Sequence, residues 1–217
     1  MQKVILFGNG QLACLNYMYL KHYSQYNVIA FTVDQGYLKE DKLFGLPVVP
    51  FENIQDIYSP EDFKLFIVMS YKKRNRPRAE KYFQAKEKGY ELITYISPKA
   101  FIWPEHAIGE NCFIQANIII DPFCEIGNNV FMGPGTLVGH NAVIKDHCFI
   151  GPNSTILGAT TIEPFCFIGA NSTIKDGITI ARNCVIGAGV AITENTQEGS
   201  VYINRSAELL QPNKDRS

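Results

Sequence analysis

Apolar residues recur at every sixth position through the second half of the chain. From Ile102 to Ile192, each of these positions holds isoleucine, valine or methionine without a gap. A period of six fits neither an amphipathic helix nor a single long strand. It is typical of a solenoid in which each repeat supplies one short strand and one corner. The repeating positions are Ile102, Ile108, Ile114, Ile120, Ile126, Met132, Val138, Ile144, Ile150, Ile156, Ile162, Ile168, Ile174, Ile180, Ile186 and Ile192.

A small or β-branched residue follows most of these aliphatic positions by four places. If three hexapeptides close one triangular coil, residues eighteen apart stack, and both kinds of side chain point into a narrow prism. The pattern therefore predicts a left-handed parallel β-helix over residues 99–198, with about five coils. Five of the six cysteines occupy the small-residue position, which favours core packing over disulfides or metal binding. These are Cys112, Cys124, Cys148, Cys166 and Cys184.

The first 98 residues have a different pattern, in which apolar β-branched runs alternate with helical segments. This order predicts a small parallel sheet flanked by helices, a Rossmann-like half domain of α/β class. One face of the first predicted helix carries Leu12, Ala13, Leu15, Met18 and Tyr19. Strands are predicted at Lys3–Phe7, Asn27–Val33, Leu46–Val49, Phe63–Met69 and Glu91–Ile96, and a second helix at Arg78–Lys88, ended by Gly89. Residues 199–217 are expected to form a C-terminal cap or tail, because the ends of a solenoid need covering.

Composition narrows the class of protein. The chain has 217 residues, of which 46% are hydrophobic and 19% charged, and its net charge is −1. These values are typical of soluble globular proteins and provide no electrostatic footprint for nucleic acid or anionic membranes. The opening apolar run is too short for a signal peptide, and no stretch reaches membrane-spanning length. The expected location is the cytoplasm.

Among the four histidines, His140 is the strongest candidate for chemistry. It lies at a predicted corner, and the residue stacked above it, eighteen positions later, is Gly158. A glycine leaves room for a base near neutral pKa and exposes a backbone N–H, as acyl transfer requires. Asn141 is placed to orient the ring. The alternative is a solvated corner histidine without a role.

The other histidines favour structural roles or solvation. His22 ends the first helix, His106 is placed near the domain junction, and His147 is expected to be exposed at a corner. A zinc site of three histidines would need His106, His140 and His147, but their spacing does not place them at stacked or facing corners. No metal site is predicted.

The first half contains a glycine motif between a strand and a helix. Gly8, Asn9 and Gly10 open the segment G-x-G-x-x-A, and Asp34 ends the second strand, where an acidic residue commonly meets a ribose hydroxyl. The half-sized domain favours a nucleotide or nucleotide-sugar over NAD, and the alternative is a tight turn without a ligand. The basic segment 71–78 is either a diphosphate contact or a solvated charge run.

Together these features resemble bacterial sugar acyltransferases that join a nucleotide-binding domain to a β-helix. This family includes bacillosamine, perosamine and viosamine N-acetyltransferases. The resemblance covers nearly the whole chain, and the segments 30–34, 71–75 and 97–103 are closest to the viosamine branch. It is carried by Phe7-Gly8-Asn9-Gly10, Ala30-Phe31-Thr32-Val33-Asp34, Gly45-Leu46-Pro47-Val48-Val49-Pro50-Phe51, Gly139-His140-Asn141, Ile156-Leu157-Gly158 and Phe167-Ile168-Gly169-Ala170-Asn171-Ser172.

The resemblance implies a reaction and a set of roles. An acetyl group would pass from acetyl-CoA, as co-substrate, to the 4-amino group of dTDP-4-amino-4,6-dideoxy-D-glucose, with His140 as general base. Gly158 would donate its N–H to the thioester carbonyl, and Ala170 and Ala188 would line the CoA groove. No cofactor would be bound permanently, and the enzymes of this family are homotrimers with active sites between subunits. The resemblance places the nucleotide near Gly10, Asp34 and Ser70. With the glycine motif and the basic segment, the candidate nucleotide-sugar site comprises Gly8, Asn9, Gly10, Asp34, Ser70, Tyr71 and Lys72.

Two departures from the family pattern stand beside three alternatives. Some relatives have a carboxylate where this chain has Asn141, and a CoA-side histidine where it has Phe149. An amide can orient an imidazole but cannot stabilise its charged form by opposite charge. The alternatives are O-acetylation of a sugar hydroxyl at the same site, a UDP- or GDP-linked amino sugar as substrate, and a β-helix scaffold without catalysis.

Overall fold

A five-stranded sheet organises the first part of the protein. The computed structural model describes residues 1–104 and 107–204. Strand order in this sheet is β3-β4-β2-β1-β5, and every pairing is parallel except that of β3 with β4. The strands are β1 Gln2–Phe7, β2 Tyr26–Val33, β3 Lys42–Leu43, β4 Leu46–Pro50 and β5 Lys64–Ile67, and the helices are α1 Gln11–Tyr23, α2 Ile54–Ile57 and α3 Arg76–Glu87. The predicted α/β half domain is thus present.

Helix α1 turns a different face to the sheet from the one predicted. Its buried residues are Ala13, Asn16, Tyr17 and Leu20, at the spacing of one helical face. The predicted face was wrong at Leu15 and Met18, which are exposed. The reason is that Tyr17 packs its ring against the sheet, and this fixes the rotation of the helix.

The segment predicted as the last strand of the sheet is divided between two sheets. Leu92 makes a single bridge to Leu65, beside β5. Strand β6, Tyr95–Ile96, instead pairs with Phe113–Ile114 in the solenoid. The chain therefore enters the solenoid before residue 98, because the Tyr95 and Ile93 side chains fill the space between the sheet and the first coils.

The second part is the predicted left-handed parallel β-helix, built from two-residue strands. Strands eighteen residues apart pair in register and form three sheets. Sheet 1 contains β7 Phe101–Ile102, β10 Ile119–Ile120, β13 Leu137–Val138, β16 Thr155–Ile156, β19 Thr173–Ile174 and β22 Ala191–Ile192. Sheet 2 contains β8 Ala107–Ile108, β11 Glu125–Ile126, β14 Val143–Ile144, β17 Thr161–Ile162 and β20 Thr179–Ile180. Sheet 3 contains β6, β9 Phe113–Ile114, β12 Phe131–Met132, β15 Phe149–Ile150, β18 Phe167–Ile168, β21 Val185–Ile186 and β23 Val201–Tyr202.

Three edges separate these sheets. Edge A lies between sheets 1 and 2, edge B between sheets 2 and 3, and edge C between sheets 3 and 1. At every corner from residue 111 to residue 189, one residue has left-handed backbone, most often asparagine or glycine, the residues that tolerate it best. Strand β23 covers the last coil on sheet 3, and residues 205–217 of the expected C-terminal cap lie outside the described part of the chain.

The repeating aliphatic and small residues form the interior of the prism. All five cysteines at the small-residue position are buried, which confirms the packing interpretation. Burial raises the pKa of the Cys112 thiol to about 12, so it remains protonated, and its sulfur donates to the Gly127 carbonyl. The thiols therefore act as small core side chains that also satisfy backbone carbonyls.

Helix α3 joins the two parts of the protein. Arg78 is fully buried, and its guanidinium donates to the Asn129 side chain at 3.1 Å and to the Cys148 carbonyl at 3.0 Å. Arg74 and Arg76 donate to Gly199 and Asn183 at 3.0 and 3.2 Å. The arginines of the basic segment 71–78 therefore contact the β-helix. Both interpretations of the segment were wrong for Arg78, which is fully buried, whereas Arg76 remains exposed.

His147 is also buried, although it was predicted to be exposed. Only 4% of its surface is accessible. Helix α3 covers this corner of edge B and brings the Tyr82 and Phe83 rings to 5.5 and 5.3 Å from the imidazole. The corner would face solvent in an isolated solenoid, so its burial depends on the docking of α3.

In the described part of the chain, no helix combines the length and apolarity needed to cross a bilayer.

Candidate active site

His140 lies on edge A with its ring directly across Gly158. A Cβ atom on Gly158 would fall 2.8 Å from His140 Nε2 and 2.9 Å from Cε1, closer than side-chain atoms approach in folded proteins. The eighteen-residue stacking expected from the sequence therefore brings these residues together. A glycine at position 158 is required because any side chain there would displace the imidazole.

Asn141 fixes the orientation of the ring. Its Oδ1 atom lies 3.1 Å from His140 Nδ1. An amide oxygen can only accept, so Nδ1 carries the proton and Nε2 keeps its lone pair. Asn141 has the left-handed backbone that asparagine tolerates. His140 Nε2 therefore faces the backbone of Gly158. This places a candidate general base beside a backbone N–H donor, and acyl transfer requires both groups.

The N–H of Gly158 is open. Among residues 1–104 and 107–204, no acceptor binds it. At edge B, by contrast, side-chain oxygens of the next coil cap the equivalent N–H groups of Glu110 and Asn128, at 3.0 and 2.7 Å. A free backbone N–H beside a base can stabilise an oxyanion that develops on a carbonyl.

Ala170 and Ala188 lie on edge C, not beside His140. A Cβ on Gly169 would fall 2.5 Å from the Ala188 nitrogen, which places Ala188 one coil above Ala170. Sheet 1 is the face that separates edge C from edge A. A CoA groove that includes these alanines and Gly158 would therefore follow sheet 1.

The glycine motif and Asp34 meet at the carboxyl ends of strands β1 and β2. A Cβ on Gly8 would fall 2.7 Å from the Val68 carbonyl oxygen, so the tight turn requires glycine. Gly10 is the N-cap residue of α1, and the space that a side chain would occupy there is open. A cavity of about 330 Å³ opens beside this turn. Its lining residues are Phe7, Asn9, Val33, Asp34, Tyr37, Met69, Pro77, Glu80 and Lys81.

Of the candidate residues, Asn9 and Asp34 line this cavity, and Ser70, Tyr71 and Lys72 do not. Ser70 and Tyr71 line a separate shallow depression with Gln11 and Phe149, between the glycine turn and sheet 3. The Tyr71 ring packs against Phe167, with 4.5 Å between ring centroids. Lys72 is exposed. Of the candidate nucleotide-sugar residues, the structure therefore brings Asn9 and Asp34 to one cavity and Ser70 and Tyr71 to another.

Sequence reasoning missed Lys81. Its ammonium lies 2.6 Å from Asp34 Oδ1 and 2.8 Å from Gln84 Oε1, with the Phe7 and Phe51 rings at 5.7 and 5.3 Å. The side chain is mostly buried, so this contact fixes the Asp34 carboxylate at the cavity wall. A lysine on a predicted helix carries no signal of this role, because its partner lies 47 residues away in the sequence.

Comparisons with solved structures show the same fold in several proteins. PerB from Caulobacter crescentus, in complex with CoA and GDP-perosamine, matches with a TM-score of 0.82 and 22% identity over 93% of each chain. The acetyltransferase domain of PglB from Neisseria gonorrhoeae, with acetyl coenzyme A, has a TM-score of 0.80 and 21% identity over 92% of this chain and 95% of that one. WeeI from Acinetobacter baumannii has a TM-score of 0.76 and 19% identity, over 93% and 96%.

Sequence comparisons match a smaller part of the chain than the structural comparisons do. The family model described as the GMPPB C-terminal domain matches residues 114–212, which is less than half of the chain and lies within the solenoid and tail. No curated protein matches the sequence. The structural likenesses show the fold, an α/β half domain joined to a left-handed parallel β-helix.

Proposed function

We propose that this protein transfers an acetyl group from acetyl-CoA to the 4-amino group of a nucleotide-linked 4-amino-4,6-dideoxysugar. The observation that carries the proposal is the His140 ring lying across Gly158, with Nδ1 held by Asn141 and the Gly158 N–H open. The complex of the Caulobacter protein with CoA and GDP-perosamine, in a similar fold, supports the same class of reaction. The sequence resemblance favours a dTDP-linked glucose derivative within that class.

The chemistry follows from the two groups. The amine nitrogen attacks the thioester carbon while His140 Nε2 takes the amine proton, and the carbonyl oxygen gains negative charge beside the Gly158 N–H. When the carbon–sulfur bond breaks, the CoA thiolate leaves and receives the proton from His140. The products are the N-acetyl sugar and free CoA. Asn141 holds the correct tautomer but supplies no charge to the imidazolium.

The position of the cavity lined by Asn9 and Asp34 supports an active site shared between subunits. The α/β domain packs on sheet 3 through Phe113 and Phe131, whereas His140 lies on edge A, the edge opposite sheet 3. A sugar bound at Asp34 would therefore reach the His140 of another copy. Exposed Phe101, Trp103 and Ile119 form an apolar face on sheet 1 that would suit such an assembly. We infer a homotrimer with active sites between neighbours.

Thioester cleavage tests the proposal. Purified wild-type protein is incubated with acetyl-CoA and dTDP-, UDP- or GDP-linked 4-amino-4,6-dideoxysugars, and free CoA and the acetylated sugar are quantified. The His140→Ala variant should lose about 10²- to 10⁴-fold in kcat, the usual contribution of a positioned general base. His22→Ala, which removes an exposed histidine of the α/β domain, is the matched control and should retain wild-type activity.

Two results would contradict the proposal. One is full activity in a correctly folded His140→Ala variant. The other is a wild-type protein that transfers acetyl to none of the sugars, which would favour a binding scaffold. Parallel assays with hydroxy sugars separate N- from O-acetylation, and a thermal-shift series identifies the nucleotide, because ligand binding raises the melting temperature by mass action.

A further inference from the structure

Lys81 pairs with Asp34 in the wall of the cavity beside the glycine turn. Its ammonium lies 2.6 Å from Asp34 Oδ1 and 2.8 Å from Gln84 Oε1, and only 14% of its side chain is exposed, against 29% for Asp34. The Phe7 and Phe51 rings lie 5.7 and 5.3 Å from the ammonium. Because the pair is partly removed from water, it is stronger than an ion pair on the open surface. Lys81 therefore holds the Asp34 carboxylate in one orientation.

The cavity lies at the carboxyl ends of three neighbouring parallel strands. Strand β1 lies between β2 and β5 in the sheet, and Asn9, Asp34 and Met69, which follow β1, β2 and β5, all line the cavity. The chain passes from β1 to β2 on one side, and β5 pairs with β1 on the other side. Ligands of open α/β sheets bind at such a point, where the strand order reverses. A nucleoside bound there would contact Asp34.

Asp34 can accept from a ligand while it is paired with Lys81. A carboxylate accepts about four hydrogen bonds, and the Lys81 contact uses Oδ1. The ribose hydroxyls of a nucleoside and the ring N–H of uracil, thymine or guanine are donors that suit such a group. A carboxylate that is already oriented loses little freedom when the ligand binds, and this preorganisation increases affinity.

Helix α3 fixes the position of Lys81 itself. Arg78, three residues before Lys81, is fully buried and donates to three acceptors of the β-helix. Pro77 and Glu80 of the same helix also line the cavity. A side chain on an anchored helix is held more precisely than one on a loop. One wall of the cavity is therefore set by the docking of α3 on the β-helix.

Resting on the proposed function, we propose that Lys81 is a positioning residue for the nucleotide-sugar and that it acts through Asp34. Without the ammonium, the carboxylate is free to turn away from the ligand, and nucleotide binding weakens. Lys81 takes no part in acetyl transfer, because the proposed base, His140, lies on edge A of the β-helix. The role of Lys81 is thus to set the affinity for the nucleotide and not the rate of the chemical step.

Binding of dTDP, UDP and GDP, measured by calorimetry without acetyl-CoA, tests this role. In Lys81→Met, the Kd of the nucleotide that the wild type binds should rise about tenfold, the scale of one hydrogen bond to a charged group. The KM for the nucleotide-sugar should rise by the same factor, with kcat and the KM for acetyl-CoA unchanged. Lys81→Arg, which can still donate to Asp34, should recover most of the affinity. Lys86→Met is the matched control, because it removes the ion pair of α3 with Glu110 outside the cavity, and it should bind like the wild type.

A double-mutant cycle separates positioning from direct contact with the ligand. Asp34→Asn should weaken nucleotide binding, and adding Lys81→Met to it should cause little further loss, because both changes then remove the same interaction. The double variant carries neither charge of the pair. Its comparison with Asp34→Asn therefore decides the question even if Lys81→Met alone does not fold.

The outcomes distinguish this proposal from the proposed function. An unchanged Kd in Lys81→Met, an equal loss in Lys86→Met, or a further loss of the same size when Lys81→Met is added to Asp34→Asn overturns the role of Lys81. So does a wild type that binds none of the three nucleotides. A wild type that binds a nucleotide but transfers acetyl to no sugar overturns the proposed function and leaves the role of Lys81 standing, because binding is measured without acetyl-CoA.

Discussion

Acidification should destabilise this protein through His147. The His147 Nδ1 atom lies 2.9 Å from Asn129 Nδ2, and Asn129 Oδ1 already accepts from Arg78 Nε and Asn111 Nδ2, at 3.1 and 2.8 Å. The Asn129 amide nitrogen is therefore a donor, and His147 must accept with a neutral ring. A proton on Nδ1 would place two donors face to face inside the domain junction.

The magnitude follows from the displaced pKa. The pKa of His147 is lowered from 6.5 to about 4, chiefly by burial; Asp146 acts to raise it, and the positive charges of Arg78 and Arg182 act to lower it. Above pH 6.5 neither the folded nor the unfolded state binds the proton, so His147 has no effect. Between pH 6.5 and about 4 the unfolded state takes up the proton first, and stability falls. A difference of about 2.5 pH units at about 1.4 kcal/mol per unit corresponds to about 3 kcal/mol.

Urea unfolding between pH 7 and 4, followed by circular dichroism and Trp103 fluorescence, measures this loss. The reference is His147→Asn, which places at this corner the residue found there in the coils of Asn111, Asn129 and Asn183 and which does not titrate. The wild type should lose about 3 kcal/mol more unfolding free energy than His147→Asn over this range. His140→Asn, which removes an exposed histidine, should follow the wild type. Parallel pH profiles for the wild type and His147→Asn would refute the reasoning.

Two further changes test the site and the junction. Gly158→Ala would place a Cβ 2.8 Å from His140 Nε2, so kcat should fall by about 10²-fold in the thioester assay while the melting temperature changes little; unchanged kcat would show that the imidazole does not act from this position. Arg78→Ala would remove three buried hydrogen bonds, one to Asn129 Oδ1 and one each to the Asn129 and Cys148 carbonyls, and urea unfolding should show a loss of about 3–5 kcal/mol. Arg76→Ala, at an exposed contact, should lose less than about 1 kcal/mol, and equal losses in the two variants would contradict the role of Arg78.

The sequence alone determined the solenoid and the core of the candidate site. In a solenoid, residues eighteen apart are neighbours in space, so sequence distance converts directly into contact. This is why the repeat predicted both the burial of the five cysteines and the stacking of Gly158 on His140. The sequence also predicted that the glycine turn and Asp34 lie at the same edge of the sheet, because the carboxyl ends of parallel strands meet there.

The tertiary structure decided everything that depends on the docking of the two parts. Arg78 reaches residues 51 and 70 positions away, and Lys81 meets Asp34 across a comparable gap. No local pattern encodes such contacts, so the basic segment 71–78 looked like a ligand contact or a solvated run, and His147 looked exposed. Burial under α3 changes the chemistry of these groups, because a charge or an imidazole removed from water must find its partners inside the protein.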